Sequence, residues 1–235
     1  MRIGIIGAGM IGGTLVRRLT ALGHDVTVAN SRGPETLAAL AAETGARTAS
    51  VREAARSGEV VVVTIPQKAV PGLPKDLFTG VPDDVVVIDT GNYYPVRDGA
   101  IPDIDAGEVE SAWVSRHLGR PVVKVFNHIG FASLLNLGKP AGTPGRIALA
   151  VAADRARDRE IGHRIVDELG FDPVDAGPIA DSWRQQPGTP AYTQDIDLPK
   201  LRAALAAADP ARVAACRKAA NDQVLAYFAQ QQQQQ

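Results

Sequence analysis

The first seventeen residues constrain the fold most, because a short apolar strand runs into three spaced glycines and then into a helical segment. In this context the first glycine allows a tight turn, the second lets a phosphate approach the backbone, and the third lets the helix pack against the strand. Unpaired N–H groups at the positive end of that helix attract an anion. The pattern therefore predicts that a dinucleotide's pyrophosphate binds at Gly7, Ala8, Gly9, Met10, Ile11 and Gly12.

The residues after the second strand indicate which dinucleotide binds. An NAD site usually carries Asp or Glu there for the ribose 2′-hydroxyl, whereas this chain has Asn30, Ser31 and Arg32. An arginine pairs with a phosphate through two hydrogen bonds, and a carboxylate would repel it. The segment therefore predicts NADP(H). In the alternative interpretation, Asn30 and Ser31 only cap the next helix and Arg32 is a solvated charge.

Apolar strands alternate with helical segments along the chain, which predicts an α/β fold with a doubly wound, mostly parallel sheet. We expect a dinucleotide-binding domain over residues 1–130 and a smaller, largely helical C-terminal extension over 131–229 that completes the cleft. Asp197 and Asp209 are candidate helix N-caps. The glutamine run at 230–235 has nothing to bury and predicts a disordered tail.

Composition excludes several classes of protein. The formal net charge is -1 and the basic residues are dispersed, so we expect neither nucleic acid nor a membrane as partner. No apolar run reaches membrane-spanning length, and the cytoplasm is the expected location. The single cysteine, Cys216, allows no intrachain disulfide, and we expect no metal site because the Cys and His spacing of zinc sites is missing from the sequence.

Ligands of an open parallel sheet lie beyond the carboxyl ends of its strands. Four predicted strand ends carry polar residues, and together they should surround the nicotinamide. These ends are residues 64–67, residues 89–95 with Gly91 and Asn92, residues 126–130 with Asn127 and His128, and residues 175–178. We expect Thr64, Ile65 and Pro66 to pack against the cofactor, with Gln67 facing it. In the alternative interpretation each segment is an ordinary turn, since Gly, Pro, Asn and Asp are common in turns.

Five segments resemble, in order, the NADPH-dependent coenzyme F420 reductases, whose superfamily includes the NADPH-binding domains of the Steap metalloreductases. They are residues 1–12, 31–32, 64–66, 126–127 and 174–179. The resemblance covers roughly residues 1–195 and implies hydride transfer between NADP(H) and a flavin-like ring, either coenzyme F420 or FMN/FAD. The deazaflavin enzymes are expected to carry His-Thr where this chain has Asn127-His128, and Lys124–Asn127 is closer to the flavin-using relatives.

Hydride transfer between stacked rings asks mainly for positioning. We assign Asn127 a hydrogen bond near the nicotinamide or the acceptor ring. His128 is the candidate to protonate a reduced ring nitrogen, since an imidazole changes charge near neutral pH. A structural histidine is the alternative.

The loop from Trp183 to Tyr192 is either a cover for the small-molecule acceptor, with Arg184 meeting an anionic group, or a subunit contact in a homodimer. Two other functions remain open. One is NADP-dependent reduction of a small carbonyl or imine, and the other is a non-catalytic NADPH sensor.

Overall fold

A computed structural model gives the fold of residues 1–232, with side chains described as far as residue 226. Its described strands form one eight-stranded sheet in the order β3-β2-β1-β4-β5-β6-β7-β8. The strands are β1 (Arg2–Ile6), β2 (Asp25–Ala29), β3 (Arg47–Thr48), β4 (Val60–Val63), β5 (Val86–Asp89), β6 (Val122–Lys124), β7 (Ala148–Ala153) and β8 (Asp172–Asp175). The predicted doubly wound, mostly parallel α/β fold is confirmed.

The strands from β1 to β6 pair in parallel, which places their carboxyl ends on one edge of the sheet. Strand β4 shows why its sequence is continuously apolar. Val60 and Val62 pack into the core on one face of the sheet, and Val61 and Val63 pack into the core on the other face. A strand covered by helices on both sides leaves no position for a polar side chain.

Ten α-helices lie within the described residues. They are α1 (Met10–Ala21), α2 (Ala38–Thr44), α3 (Val51–Arg56), α4 (Pro95–Asp98), α5 (Pro102–Asp105), α6 (Glu110–Leu118), α7 (Phe131–Asn136), α8 (Ala156–Glu168), α9 (Leu198–Ala206) and α10 (Val213–Gln232). Short 3-10 segments cover Pro34–Leu37, Gln67–Gly72, Ile179–Gln185 and Pro210–Arg212.

Several helix ends follow from local sequence. Ser50 and Glu53 form a reciprocal capping box at the start of α3. Asp197 caps α9 by accepting from the Lys200 N–H, and Asp209 accepts from the Ala211 N–H, so both predicted N-caps are confirmed. Helices α5 and α6 are not continuous, because Gly107 adopts a φ of 110° between them.

The sheet runs on past residue 130. Strand β7 pairs antiparallel with β6, and β8 pairs in parallel with β7. The segment expected to be a smaller C-terminal extension therefore contributes two strands to the same sheet, with α7 before them and α8 between them.

Helix α10 extends to Gln232, so the first part of the predicted disordered tail, residues 230–232, is helical. The disorder predicted for residues 233–235 lies outside the described residues. In the part of the chain that the structure describes, no helix is both long and apolar enough to cross a membrane.

Candidate functional site

The three glycines build the turn between β1 and α1. Gly7 has a φ of 112°, and a Cβ atom there would lie 2.3 Å from the Thr64 carbonyl oxygen. At Gly12 a Cβ atom would lie 2.1 Å from the Gly7 carbonyl oxygen. Both positions therefore require glycine for backbone packing between the turn, the helix and strand β4.

Gly9 differs from the other two glycines. A Cβ atom at this position would meet no described atom within 4 Å, so packing of the protein does not explain the glycine. Gly9 is also the N-cap of α1, and the described side chains supply no hydrogen bond to cap this helix. The first turn contains no acidic residue. Free N–H groups beside an open glycine are what binding of a pyrophosphate requires.

The loop after β2 is organised by Asn30. Its Oδ1 accepts from the Arg32 N–H at 2.9 Å, and its Nδ2 donates to the Thr36 hydroxyl at 2.8 Å. Thr36 in turn donates to the Gly33 carbonyl at 2.8 Å. Asn30 thus shapes the turn that presents Ser31 and Arg32, both of which are exposed.

The Arg32 guanidinium makes no ion pair or hydrogen bond with any described side chain, although other arginines of this protein are paired. Arg17 with Glu43 and Arg116 with Glu108 are examples. A free guanidinium beside a free hydroxyl fits the 2′-phosphate of NADP(H). The helix-capping alternative is contradicted for the Asn30 side chain, which bonds within its own turn.

A cleft of about 620 Å³ joins these features. Nine of the predicted cofactor-binding residues line it, namely Gly7, Ala8, Gly9, Asn30, Ser31, Arg32, Thr64, Ile65 and Pro66. Val51 and Leu73 add an apolar wall that suits an adenine ring. The remaining predicted residues lie outside this lining: Met10, Ile11 and Gly12 are in the first turn of α1, and Gly91, Asn92 and Asn127 are at the ends of β5 and β6.

The described residues therefore fit NADP(H). Uncapped N–H groups of α1 would hold the pyrophosphate, Ser31 and Arg32 the 2′-phosphate, and the apolar wall the adenine. Among the residues that the structure describes, no carboxylate lines this cleft.

Asn127 lies in a buried polar network rather than in the open. Its Nδ2 donates to the Gln185 carbonyl at 2.6 Å and to the Asn92 Oδ1 at 3.1 Å. Its Oδ1 accepts from the Gln185 Nε2 at 2.9 Å. These bonds use both amide hydrogens, so the Asn127 side chain has none left to donate to the nicotinamide or the acceptor ring. Asn127 instead fixes Asn92, which also donates to the Tyr192 hydroxyl at 3.3 Å.

The proton-donor role expected for His128 is contradicted. The side chain is buried, and its Nε2 accepts from the Ala150 N–H at 2.9 Å, so that nitrogen carries no proton. Burial lowers the pKa of His128 to about 4. The geometry favours the alternative interpretation, a structural histidine. The His128 ring is buried because β7 packs beside the residues that follow β6.

Gln67 and Arg184 also differ from expectation. Gln67 was expected to face the cofactor, but it is buried and donates to the Glu110 carbonyl at 3.2 Å. In one of the two interpretations of its loop Arg184 meets an anionic group, whereas here its guanidinium stacks on the Trp183 ring with 4.6 Å to the centroid and points toward α9. In the same loop, Gln185 reaches inward to Asn127.

A cluster of buried charges that no sequence pattern predicted lies beneath the ends of β5 and β6. Lys124 Nζ donates to Asp89 Oδ2 at 3.1 Å, and Glu110 lies close by with no exposed surface. The one available signal was Lys124 itself, a lysine within the apolar strand 122–126, which requires a buried partner. Glu110 gave no such signal, because an acidic residue at the start of a helix is ordinary.

Comparison with known proteins agrees with this geometry. Residues 2–93 match the family model described as NADP oxidoreductase, coenzyme F420-dependent. The amino-terminal part of this chain is therefore similar to that family. The matched residues include the glycine turn, the Ser31-Arg32 loop and the end of β4, and the match supports NADP(H) as the nucleotide.

Three relatives extend the comparison. Protein YjhV of Escherichia coli (strain K12) is 50% identical over 56 residues, which are 24% of this chain and 41% of that protein. The hypothetical protein SMa0349 of Sinorhizobium meliloti is 29% identical, with a TM-score of 0.64 over 77% of this chain and 87% of its own. A protein of Arthrobacter sp. FB24 named as an F420-dependent NADP reductase is 22% identical, with a TM-score of 0.63 over the same shares of the two chains. This last similarity establishes the fold alone.

Proposed function

We propose that this protein is an NADP(H)-dependent oxidoreductase that transfers a hydride between NADPH and a flavin-like acceptor, either coenzyme F420 or a flavin such as FMN or FAD. The observation that carries the proposal is the cleft itself. It combines an uncapped helix terminus at an open glycine with an unpaired Arg32 and an exposed Ser31. The family match over residues 2–93 supports the same nucleotide.

The residues of the chain contribute binding and orientation. Ser31 and Arg32 hold the 2′-phosphate, and the start of α1 holds the pyrophosphate, so the nucleotide is fixed at two points along its length. When bound, NADPH supplies the hydride, two electrons with one proton. The Asn92 and Asn127 network lies at the ends of the next strands, β5 and β6, on the same edge of the sheet.

A flavin-like acceptor is supported by the state of His128. A buried, neutral imidazole whose Nε2 accepts the Ala150 N–H carries its one proton on Nδ1, and a neutral ring is a poor acid. Reduction of an acceptor ring that takes its second proton from solvent makes no demand on such a residue. The acceptor is therefore proposed to be a redox-active ring rather than a substrate that takes its proton from His128.

One observation favours a second candidate, the reduction of a small carbonyl or imine. The hydroxyl groups of Tyr94 and Tyr192 bond to each other at this strand edge, and burial raises the pKa of each, so both stay protonated at neutral pH. A protonated tyrosine is a suitable acid for an alkoxide or amine product.

Isotope transfer separates the candidates. NADPH carrying deuterium at the nicotinamide C4 would be mixed with the protein and coenzyme F420, FMN, FAD or a panel of carbonyls and imines. Deuterium should appear in reduced F420 or flavin. The variant Tyr192→Phe should keep flavin or F420 reduction and lose any carbonyl reduction. Tight NADPH binding without transfer to any acceptor would contradict both candidates.

The nucleotide site is tested by a pair of glycine variants. Gly9→Ala adds a methyl group that meets only open space, so the melting temperature should stay within about 2 °C while the Kd for NADPH rises about tenfold or more. Gly12→Ala is the contrast, since its methyl group meets the Gly7 carbonyl and should destabilise the fold. Calorimetry of binding and thermal unfolding measure the two effects. Unchanged NADPH affinity in Gly9→Ala would contradict the pyrophosphate assignment.

A further inference from the structure

The backbone of residues 91–94, the 91–94 turn, is held by charged side chains at five of its eight N–H and carbonyl groups. Gly91 donates its N–H to Asp89 Oδ1 at 2.7 Å, and its carbonyl accepts from Lys124 Nζ. The Asn92 carbonyl accepts from Arg97 at 2.5 Å. This turn joins the end of β5 to α4 and carries the Asn92 side chain into the network with Asn127.

The second half of the turn is bonded in the same way. The Tyr93 N–H donates to Glu110 Oε2 at 3.0 Å, and the Tyr94 N–H donates to Asp98 Oδ2 at 3.0 Å. Hydrogen bonds to ionised groups are roughly twice as strong as neutral ones. Charged partners at successive residues therefore hold the backbone of this turn more firmly than hydrogen bonds to neutral groups would.

Burial makes this arrangement costly. Lys124 and Glu110 have no exposed surface, and Asp89 has 2%. Ordinary turns satisfy their backbone groups with water or with other backbone groups, at no cost in buried charge. Burying three ionisable side chains beneath one turn is what a precisely held functional loop requires, whereas an apolar filling of the same volume would serve stability as well or better.

The C-terminal helix supports the turn through Glu110. Arg217 of α10 reaches into the fold with 8% exposure, and its guanidinium lies 5.3 Å from the centroid of the Tyr93 ring. Its Nε is 3.6 Å from Glu110 Oε1, and neither atom has a hydrogen-bond partner among the described residues. Nearby, Asn221 of the same helix accepts the Val96 N–H at 2.7 Å. Helix α10 thus provides the positive charge that faces Glu110 Oε1, the oxygen that does not bond to the Tyr93 N–H.

We propose that Glu110 is a positioning residue for hydride transfer, which fixes the 91–94 turn and thereby Asn92, and that Arg217 of α10 keeps Glu110 in its ionised, bonded form. This inference rests on the proposed function, since it places the acceptor at the strand edge where Asn92, Asn127 and Tyr192 meet. Neither Glu110 nor Arg217 touches the cleft that binds the nucleotide.

The arrangement makes the turn sensitive to pH. Burial raises the pKa of Glu110 to about 7, and the positive charges of Lys124 and Arg217 and the Tyr93 N–H oppose that rise. The negative charge of Asp89 raises the pKa of Glu110 further. The pKa values of Tyr94 and Tyr192 are raised by burial and also by the charge of Glu110. Above pH 7 the carboxylate is ionised and holds the Tyr93 N–H strongly, and below pH 7 it becomes neutral and the bond weakens.

Two variants of the full chain and two matched controls test the proposal. Glu110→Gln keeps the shape and an acceptor oxygen but removes the charge, and Arg217→Met removes the facing charge. Glu108→Gln and Arg116→Met are the controls, because these residues pair with each other at the surface. The readouts are kcat and KM for NADPH between pH 6 and pH 8.5, with whichever of F420 or FMN the unmodified protein reduces, and thermal unfolding.

The unmodified protein should gain about tenfold in kcat from pH 6 to pH 8, following one ionisation near pH 7. Glu110→Gln should lose about tenfold in kcat at pH 8, lose the pH dependence, and keep KM for NADPH within about twofold. In Arg217→Met the ionisation should move to higher pH. The controls should follow the unmodified protein in both kcat and pH dependence.

Other outcomes would overturn the proposal. A pH profile in Glu110→Gln that runs parallel to the unmodified one, even at lower kcat, would reduce Glu110 to a structural role. If Glu110→Gln does not fold, an unshifted ionisation in Arg217→Met overturns the proposal by itself. Absence of turnover in the unmodified protein would instead contradict the proposed function, so the two failures are distinct.

Discussion

At the scale of single residues, burial decides the chemistry of His128. The same side chain at a surface would titrate near neutral pH and serve as an acid. Here the Ala150 N–H occupies Nε2, and the apolar surroundings keep the ring neutral. The neighbouring Asn127 is affected in a similar way, because Gln185 uses its amide oxygen and one of its hydrogens.

The depressed pKa of His128 predicts a loss of stability in acid. In the unfolded chain the imidazole binds a proton below about pH 6.5, whereas in the folded protein it binds one only near pH 4. Stability from this group is therefore complete above pH 6.5 and falls as the pH decreases toward 4, by about 3 kcal/mol over the full window. Urea unfolding of the unmodified protein and of His128→Gln at pH 7 and pH 5 should show a smaller loss in the variant.

Two comparisons complete this test. His117→Gln changes an exposed histidine and should leave the acid sensitivity unaltered. His128→Gln should also keep kcat at pH 7.5 within about threefold when it folds. A loss of kcat of a hundredfold or more with intact NADPH binding would restore the proton-donor role to His128.

At the scale of elements, the loop after β2 is proposed to select NADP(H) over NAD(H). Ser31 supplies a hydroxyl and Arg32 supplies a positive charge. The turn that presents them depends on Asn30 and on Thr36, which lies in the following helical segment. The Thr36 hydroxyl accepts from Asn30 and donates to the Gly33 carbonyl, so it joins both sides of the turn.

Removal of the Thr36 hydroxyl should therefore reduce nucleotide discrimination. In Thr36→Val the ratio of kcat/KM for NADPH to that for NADH should fall about fivefold, since two hydrogen bonds worth about 1 kcal/mol in total are lost. Thr20→Val removes a hydroxyl that bonds within α1 and serves as the control. If Arg32→Gln alters the ratio and Thr36→Val does not, Arg32 acts without support from the turn.

At the scale of the whole molecule, the two parts expected from the sequence share one sheet. Strands β6 and β7 meet at Val123 and Ala153, and α8 packs over this junction with Gly162 against Val123 and Val151. The buried network from Asn92 to Gln185 also crosses the expected boundary at residue 130. These contacts couple the nucleotide-binding half to the rest of the fold.

One cooperative unfolding transition should follow from this coupling. Calorimetry should show a single transition, and Gly162→Ala should lower its midpoint by several degrees, because the added methyl group would lie 2.7 Å from Val151 Cγ1. Gly130→Ala is the matched control, since its methyl group would meet only Ser133 Oγ at 3.9 Å. Two resolved transitions, with Gly162→Ala affecting the later one alone, would support separate domains.

The parts of the fold that depend on nearby residues were predictable from the sequence. The glycine turn, the continuous valines of β4 and the caps at Asp197 and Asp209 follow from backbone sterics, strand burial and short hydrogen bonds. The nine cleft residues also lie within a few positions of a strand end, where an open parallel sheet gathers its ligands.

The sequence by itself thus determined the α/β fold, the pyrophosphate turn and the Ser31-Arg32 loop, because local residues decide local backbone geometry. Only the tertiary structure decided that His128 is neutral, that Asn127 bonds inward to a residue 58 positions away, and that Glu110 lies beneath the 91–94 turn. Burial and pairing depend on segments that are distant along the chain. A side chain's charge and its free hydrogen bonds are therefore set when those segments pack together.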